Sequence, residues 1–152
     1  MIFISTPSEL APYSGQSLIE KMSIDIGSTQ LEQFLAFSVD TNPIHMVGGS
    51  SQPVVPANLL ISIIPSILQS HINFANEIQC FTVGYRDVQF KKQIRLEDEV
   101  LLSIKLKKVR VISDGAYVDY EFLFEQKDDN SVAAKGTMSD FCISKPPCIH
   151  ST

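Results

Sequence analysis

Cysteine is scarce in this sequence of 152 residues: Cys80, Cys142 and Cys148 are the only three, and none forms a Cys-x-x-Cys pair. An odd number without that spacing argues against a disulfide framework, and free thiols in a reducing compartment are expected. Cys148 and His150 amount to two soft ligands in a terminal tail, far below a four-ligand site, so no metal is expected. Positive charge is also short, with 12 Lys and Arg against 17 Asp and Glu for a net charge of −5, the acidic residues scattered along the chain. That balance gives no electrostatic reason to sit on phosphate backbones or anionic lipid, which sets nucleic acid aside as a partner. Long apolar runs are missing as well. The most apolar stretch, PVVPANLLISIIPSIL at residues 53–68, is interrupted by Asn58, Ser62 and two internal prolines and falls short of the ~18 apolar residues of a membrane span. The opening MIFISTPSELAPYSG has no basic residue before its apolar positions and no apolar run of leader length. It is not read as a secretory signal, and a cytoplasmic address is expected. There is no internal repeat, low-complexity tract or linker-like change of composition. A hydrophobic content of 44% over this length fits a single domain with a real core over residues 1–152, with 1–15 and 146–152 as tails.

What is present changes period halfway along the chain. Leu31, Phe34, Leu35 and Phe37 keep roughly helical spacing, and Thr29 with Glu32 reads as a capping box, so a short helix is predicted over 29–39. A second helix is predicted over 56–69, opened by Pro56 and apolar on nearly every side, with a kink or broken turn at Pro65. From Val100 the apolar residues alternate, slip by one at Lys107-Lys108 and continue at Val109 and Val111, the signature of a long strand with a bulge. Turn residues at 113–115 and 128–130 separate it from two further long strands, 118–124 and 132–143, and a strand over 81–90 precedes it. Short helix, apolar helix and strand meander together predict an α+β fold: one curved antiparallel sheet gripping a central helix.

The segment DTNPIH at residues 40–45 carries the chemistry. In a helix, Asp40 and His45 would be rotated apart by roughly 140°, and in a strand they would lie on opposite faces. Pro43 pushes Asn42 towards an extended conformation, while Asp and Asn side chains tie off turns by bonding nearby N–H groups. Such a turn can face Asp40 and His45 into one space. A carboxylate and an imidazole together can handle the two protons of a water molecule. The following helix start, around Ala57 and Asn58, offers unpaired N–H groups to a developing oxyanion. The plainer reading, in which Asp40 and Asn42 only cap a turn and His45 fills a polar gap, stands beside this one.

The stretch MSIDIGSTQLEQFLAFSVDTNPIH resembles the MaoC-like dehydratases, the family that includes (R)-specific enoyl-CoA hydratases and whose pattern ends a short helix in Asp-x-Asn-Pro-x-His. QPVVPANLLISIIPSIL is similar to the segment that opens the family's central helix, and YRDVQFKKQIRLEDEVLLSIKLKKV to its strand, turn and strand. The resemblance implies a hot-dog fold, a homodimer, no cofactor, and an acyl-CoA or acyl-carrier-protein thioester as partner. It assigns Asp40 and His45 to the catalytic pair and Asn42 to the turn. It places Ala57 where the family commonly has the glycine of a His-Gly pair, whose N–H holds the thioester oxygen; Pro56 stands in place of the histidine. The loop at 46–52 is shorter than usual, which implies a reduced wall over the acyl site.

The reaction implied is reversible hydration of 2-enoyl thioesters to (3R)-hydroxyacyl thioesters. The alternatives are a hot-dog module that binds an acyl thioester or another protein without turnover, or an acyl-CoA thioesterase. His71, just beyond the second helix, reads as a C-terminal cap rather than a base. The basic residues of GYR at 84–86 and FKK at 90–92 read as edge protection before they read as phosphate contacts. Asp140 lies on a late strand with no legible partner.

Overall fold

The computed structural model describes residues 1–48 and 52–144. Cys148, His150 and the tail at 146–152 lie outside the described residues, as does part of the 46–52 loop. Along the chain come β1 (Ile2–Ile4), a 3-10 turn (Pro7–Tyr13), β2 (Ser17–Ile24), α1 (Ser28–Ser38), a second 3-10 turn (Pro43–His45), α2 (Ala57–Ser62) and α3 (Ile64–His71). The remaining elements are β3 (Ile72–Phe74), β4 (Ile78–Phe90), β5 (Val100–Ile112), β6 (Gly115–Gln126) and β7 (Val132–Ser144). Five strands form one antiparallel sheet in the order β2-β5-β6-β7-β4, and β1 pairs with β3 in a separate two-stranded piece.

The alternation in the sequence decides which face of this sheet is buried. On β6, Ala116, Val118, Tyr120, Phe122 and Phe124 all lie in the core, joined there by Leu102, Ile104 and Leu106 of β5 and by Leu59, Leu60, Ile64 and Leu68 of the helices. Each fully buried side chain of this size contributes roughly 1.5–3 kcal/mol over its exposed state. The expected bulge is present, as a register shift between Leu106 and Lys108 against β6.

Four expectations are corrected. Residues 1–15 are not a tail: Ile4 and Leu10 are buried in the core, and the N–H of Gly15 donates to the carbonyl of Leu106 at 2.7 Å. A three-residue strand has no period to read, so its pairing with β3 leaves no local trace. The second helix is broken, one of the two expected forms, but at Ile63 rather than at Pro65. α2 ends at Ser62, Ile63 sits between the two helices, and Pro65 falls in the first turn of α3, where its missing donor costs nothing. The start of α1 is capped two residues earlier than Thr29 and Glu32 suggest, with the N–H of Gly27 donating to Oε1 of Gln30 at 2.6 Å. Finally, Cys80 and Cys142 are not free thiols. They stand opposite each other on β4 and β7, their Cα atoms 4.1 Å apart, and are joined as a disulfide.

Candidate active site

The corner at residues 40–45 is built from local hydrogen bonds. Val39 leaves α1 in the left-handed region, at φ 54°, and the N–H of Asp40 returns to the carbonyl of Leu35 at 3.2 Å. Oδ1 of Asp40 accepts from the N–H of Asn42 at 2.9 Å, and Oδ1 of Asn42 accepts from the N–H of Ile44 at 3.3 Å. Pro43 opens the short 3-10 turn, which the N–H of His45 closes on the carbonyl of Asn42 at 3.1 Å. The two Oδ1 bonds and the φ of Pro43 are supplied by residue types in the sequence, whereas the left-handed turn at Val39 is not, being disfavoured for a β-branched residue.

The ring of His45 is buried, and its Nδ1 lies 2.6 Å from the carbonyl oxygen of Val54. A carbonyl only accepts, so Nδ1 carries a proton, and Nε2 is the ring nitrogen turned towards Asp40. Nε2 and Oδ2 of Asp40 are 3.8 Å apart. That is too long for a direct hydrogen bond, but an oxygen atom about 2.8 Å from each would be held at an angle of about 85°. Val54 is fixed in turn: its N–H donates to the carbonyl of Ile44 at 2.8 Å, and that of Val55 to the carbonyl of Ile94 at 2.8 Å.

A cavity of about 340 Å³ opens beside this corner, lined by His45, Ala57, Leu60, Phe90 and Lys91 among others. Among the described residues no acceptor pairs with the N–H of Ala57 or of Asn58, while that of Leu59 is taken by the carbonyl of Pro56. α2 has only six residues. Any help it gives to a negative charge therefore comes from these N–H groups more than from a long macrodipole.

The structure thus brings His45 and Ala57 to one cavity and sets Asp40 against the ring of His45. Asn42 is spent on the turn, and the exposed Asn58 is not part of the cavity lining. Lys92 also lines the cavity, but Asp129 and Ser131 hold its Nζ at 2.8 and 2.9 Å; the side chain of Lys91 has no partner among the described residues. Arg86 is elsewhere, on the outer sheet face, bonded to Asp119 at 2.8 Å and Ser139 at 3.1 Å. Burial there would push the Asp119 carboxyl up, but the hydrogen bonds from Ser139 and Arg86 and the charges of Arg86 and Lys107 outweigh it and hold the group low. His71 ends α3 with Nδ1 3.0 Å from the carbonyl of Ile67. The carbonyl of Val54 is the one component for which the sequence carries no signal, because a backbone oxygen is present at every residue.

No protein-family model matches the sequence, and no curated protein matches it. Solved structures do match in shape. A monoamine oxidase regulatory protein from Archaeoglobus superposes with a TM-score of 0.73 at 16% identity, over 97% of this chain and all of that one. An (R)-hydratase of A. caviae involved in PHA biosynthesis gives 0.64 at 19% identity, over 88% of this chain and 96% of that one. A 1,4-dihydroxy-2-naphthoyl-CoA thioesterase from Synechocystis gives 0.57 at 12% identity, over 83% and 82%. The fold is the hot-dog, and the structural neighbours include MaoC-like hydratases and dehydratases. At these identities the likeness fixes the fold and leaves the reaction to the site.

Proposed function

We propose that the protein is a hydro-lyase that interconverts 2-enoyl thioesters and (3R)-hydroxyacyl thioesters. The observation that carries this reading is the placement of Asp40 Oδ2 and His45 Nε2 3.8 Å apart, with His45 on the wall of the cavity that Ala57 also lines. The thioester oxygen would accept from the N–H of Ala57, which draws electrons from the double bond and leaves the β-carbon open to attack. Water held between Asp40 and His45 supplies the hydroxyl to that carbon, and the pair takes up the released proton. The pair then delivers one proton to the α-carbon, so that water is added overall and neither residue is changed. Lys91, on the cavity wall and without a side-chain partner among the described residues, would be the cation available to the polar carrier of an acyl-CoA or an acyl carrier protein.

Loss of enoyl absorbance with crotonyl-CoA, followed for the wild type, Asp40→Asn and His45→Ala, is the direct test. Each substitution should lower kcat about 10²-fold or more, the usual scale for a positioned acid or base. Three equal slow rates would end the catalytic claim. A second reading, a module that binds the thioester without turnover, is favoured by the Ala57 methyl group on the cavity wall and by Pro56 before it. Acyl-CoA binding by calorimetry with no turnover at any chain length would support it, and release of free CoA would point instead to a thioesterase.

A homodimer is part of the proposal. β4 is an edge strand of 13 residues, and its Phe81, Val83, Tyr85 and Phe90 are exposed. An open edge of that length invites pairing with a second copy. Among the described residues no helix is long and apolar enough to cross a membrane. A cytoplasmic setting suits a metabolic thioester, and there the Cys80–Cys142 bridge would meet a thiol pool.

A further inference from the structure

Away from His45, at the other end of the helical layer, a second cavity of about 240 Å³ lies between α3, β4 and the middle of the sheet. It shares no lining residue with the cavity at His45. Leu68, Ile78 and the half-buried bridged Cys80 supply its apolar part, and the exposed side chains of Gln69 and Thr82 are among its polar lining. Two polar groups are set into the wall, Asp140 of β7 and Tyr120 of β6. Oδ1 of Asp140 is buried and has no hydrogen-bond partner among the described residues. No Lys, Arg or His lines this cavity, so nothing in the lining offsets a charge on the carboxylate.

A buried acceptor left unpaired is costly, and a burial that persists without a partner calls for one from outside the chain. The surroundings act on Asp140 as that predicts: burial pushes its carboxyl up against the opposing pull of the Thr82 hydroxyl, and burial with the nearby Asp140 charge pushes the Tyr120 phenol up. An anion would be repelled here. A hydrogen-bond donor, and above all a cation, would restore the missing pairing while its carbon chain filled the apolar part.

We infer that this cavity is a binding site for a short aliphatic chain ending in a hydrogen-bond donor, an ammonium in preference to a hydroxyl, with Asp140 as the residue that recognises that end. The occupant is either a free amphiphile or the far end of a longer acyl chain, since the recognising chemistry is the same for both. The site does not depend on the hydro-lyase reading. At ~30 Å³ per water-sized group, the volume suits about seven or eight heavy atoms, the size of a hexyl chain with its polar end.

Calorimetric titration of the intact protein with n-hexylammonium, 1-hexanol and hexanoate tests this directly. The expected order is ammonium, then alcohol, then carboxylate, with the ammonium favoured over the carboxylate by tenfold or more, the scale of one charge-assisted hydrogen bond. Asp140→Asn should remove about tenfold from the ammonium affinity and leave the alcohol little changed. Because that variant relieves a buried charge, it is expected to fold, and a thermal scan of the same samples confirms it. Competition between hexylammonium and a long-chain acyl-CoA assigns the site to an acyl end, and simultaneous binding assigns it to a free amphiphile; either supports the site. A cavity holding only water would give no saturable binding of any of the three probes, and would overturn the inference. So would equal binding of hexanoate, or ammonium binding unchanged in Asp140→Asn.

Discussion

Breaking the Cys80–Cys142 bridge perturbs the sheet at its edge without touching the candidate site. The two residues are separated by 62 positions, and closing a loop of that size removes about 14 cal/mol/K from the denatured chain, about 4 kcal/mol at 25 °C. In the native protein the bridge adds little new constraint. β4 is already laddered to β7 from Ile78 opposite Ser144 to Phe90 opposite Ala134, with Cys80 and Cys142 in register between them. The effect should therefore fall on the unfolded state, with the folded sheet unchanged. For a chain of this length each kcal/mol shifts Tm by about 2–4 °C, so reduction should lower Tm by roughly 8–16 °C with the far-ultraviolet dichroism of the folded state preserved. Calorimetry with and without reductant measures this, and Cys80→Ser combined with Cys142→Ala should reproduce the reduced protein. Thiol titration in denaturant calibrates the samples: of the three cysteines, one should react before reduction and three after it. Three reactive thiols before reduction would remove the bridge altogether. A Tm change under about 2 °C with all thiols freed would refute the loop-entropy argument.

Three other outcomes follow from single residues. Ala57→Pro deletes the N–H proposed to hold the thioester oxygen at a first-turn position that suits proline, so kcat should fall about 10²-fold or more with little change in Tm, whereas Ala57→Gly should keep the rate. Asp140→Asn should raise Tm at neutral pH, through a stability gain on the order of 1 kcal/mol from removing a buried charge. The carboxyl is raised in the fold, so the native state holds its proton more tightly; its penalty is absent well below the ordinary carboxylate range, grows as pH rises from that range to the raised value, and is complete above it. The gain should accordingly vanish in acid, and a gain equal at both pH values would contradict the assignment. Gly136→Ala would set a Cβ 2.8 Å from Phe122 Cζ and 2.9 Å from Val88 Cγ2, and a urea midpoint should show a loss of about 1–3 kcal/mol.

What the sequence shows and hides divides by range. The alternation on β5 and β6, and even the one-residue slip at Lys107-Lys108, is legible because a strand's period is written residue by residue. The turn at Asp40 is legible for a similar reason, since each of its side-chain bonds spans only two residues. Pro65 announces an interruption of the central helix, but the break falls at Ile63 because packing around the helix decides where it divides. The contact of His45 with the carbonyl of Val54 spans nine residues and involves no special residue type. The disulfide depends on the register between β4 and β7, and three cysteines with no informative spacing cannot express that.

That register also makes sense of Asp140. On β7, Met138 and Cys142 are fully buried in the core, and alternation puts residue 140 on the same inward face. A carboxylate therefore stands where the pattern calls for an apolar side chain, between two positions that obey it. The period that makes β7 readable as a strand is what marks this residue as its exception. Local rules are most often broken where a protein uses the residue for something other than folding. Replacing Asp140 should thus separate the two demands, improving stability while removing the recognition of a donor-ended chain. If both properties fell together, or neither moved, the carboxylate would belong to the framework and the cavity beside it would have no ligand to recognise.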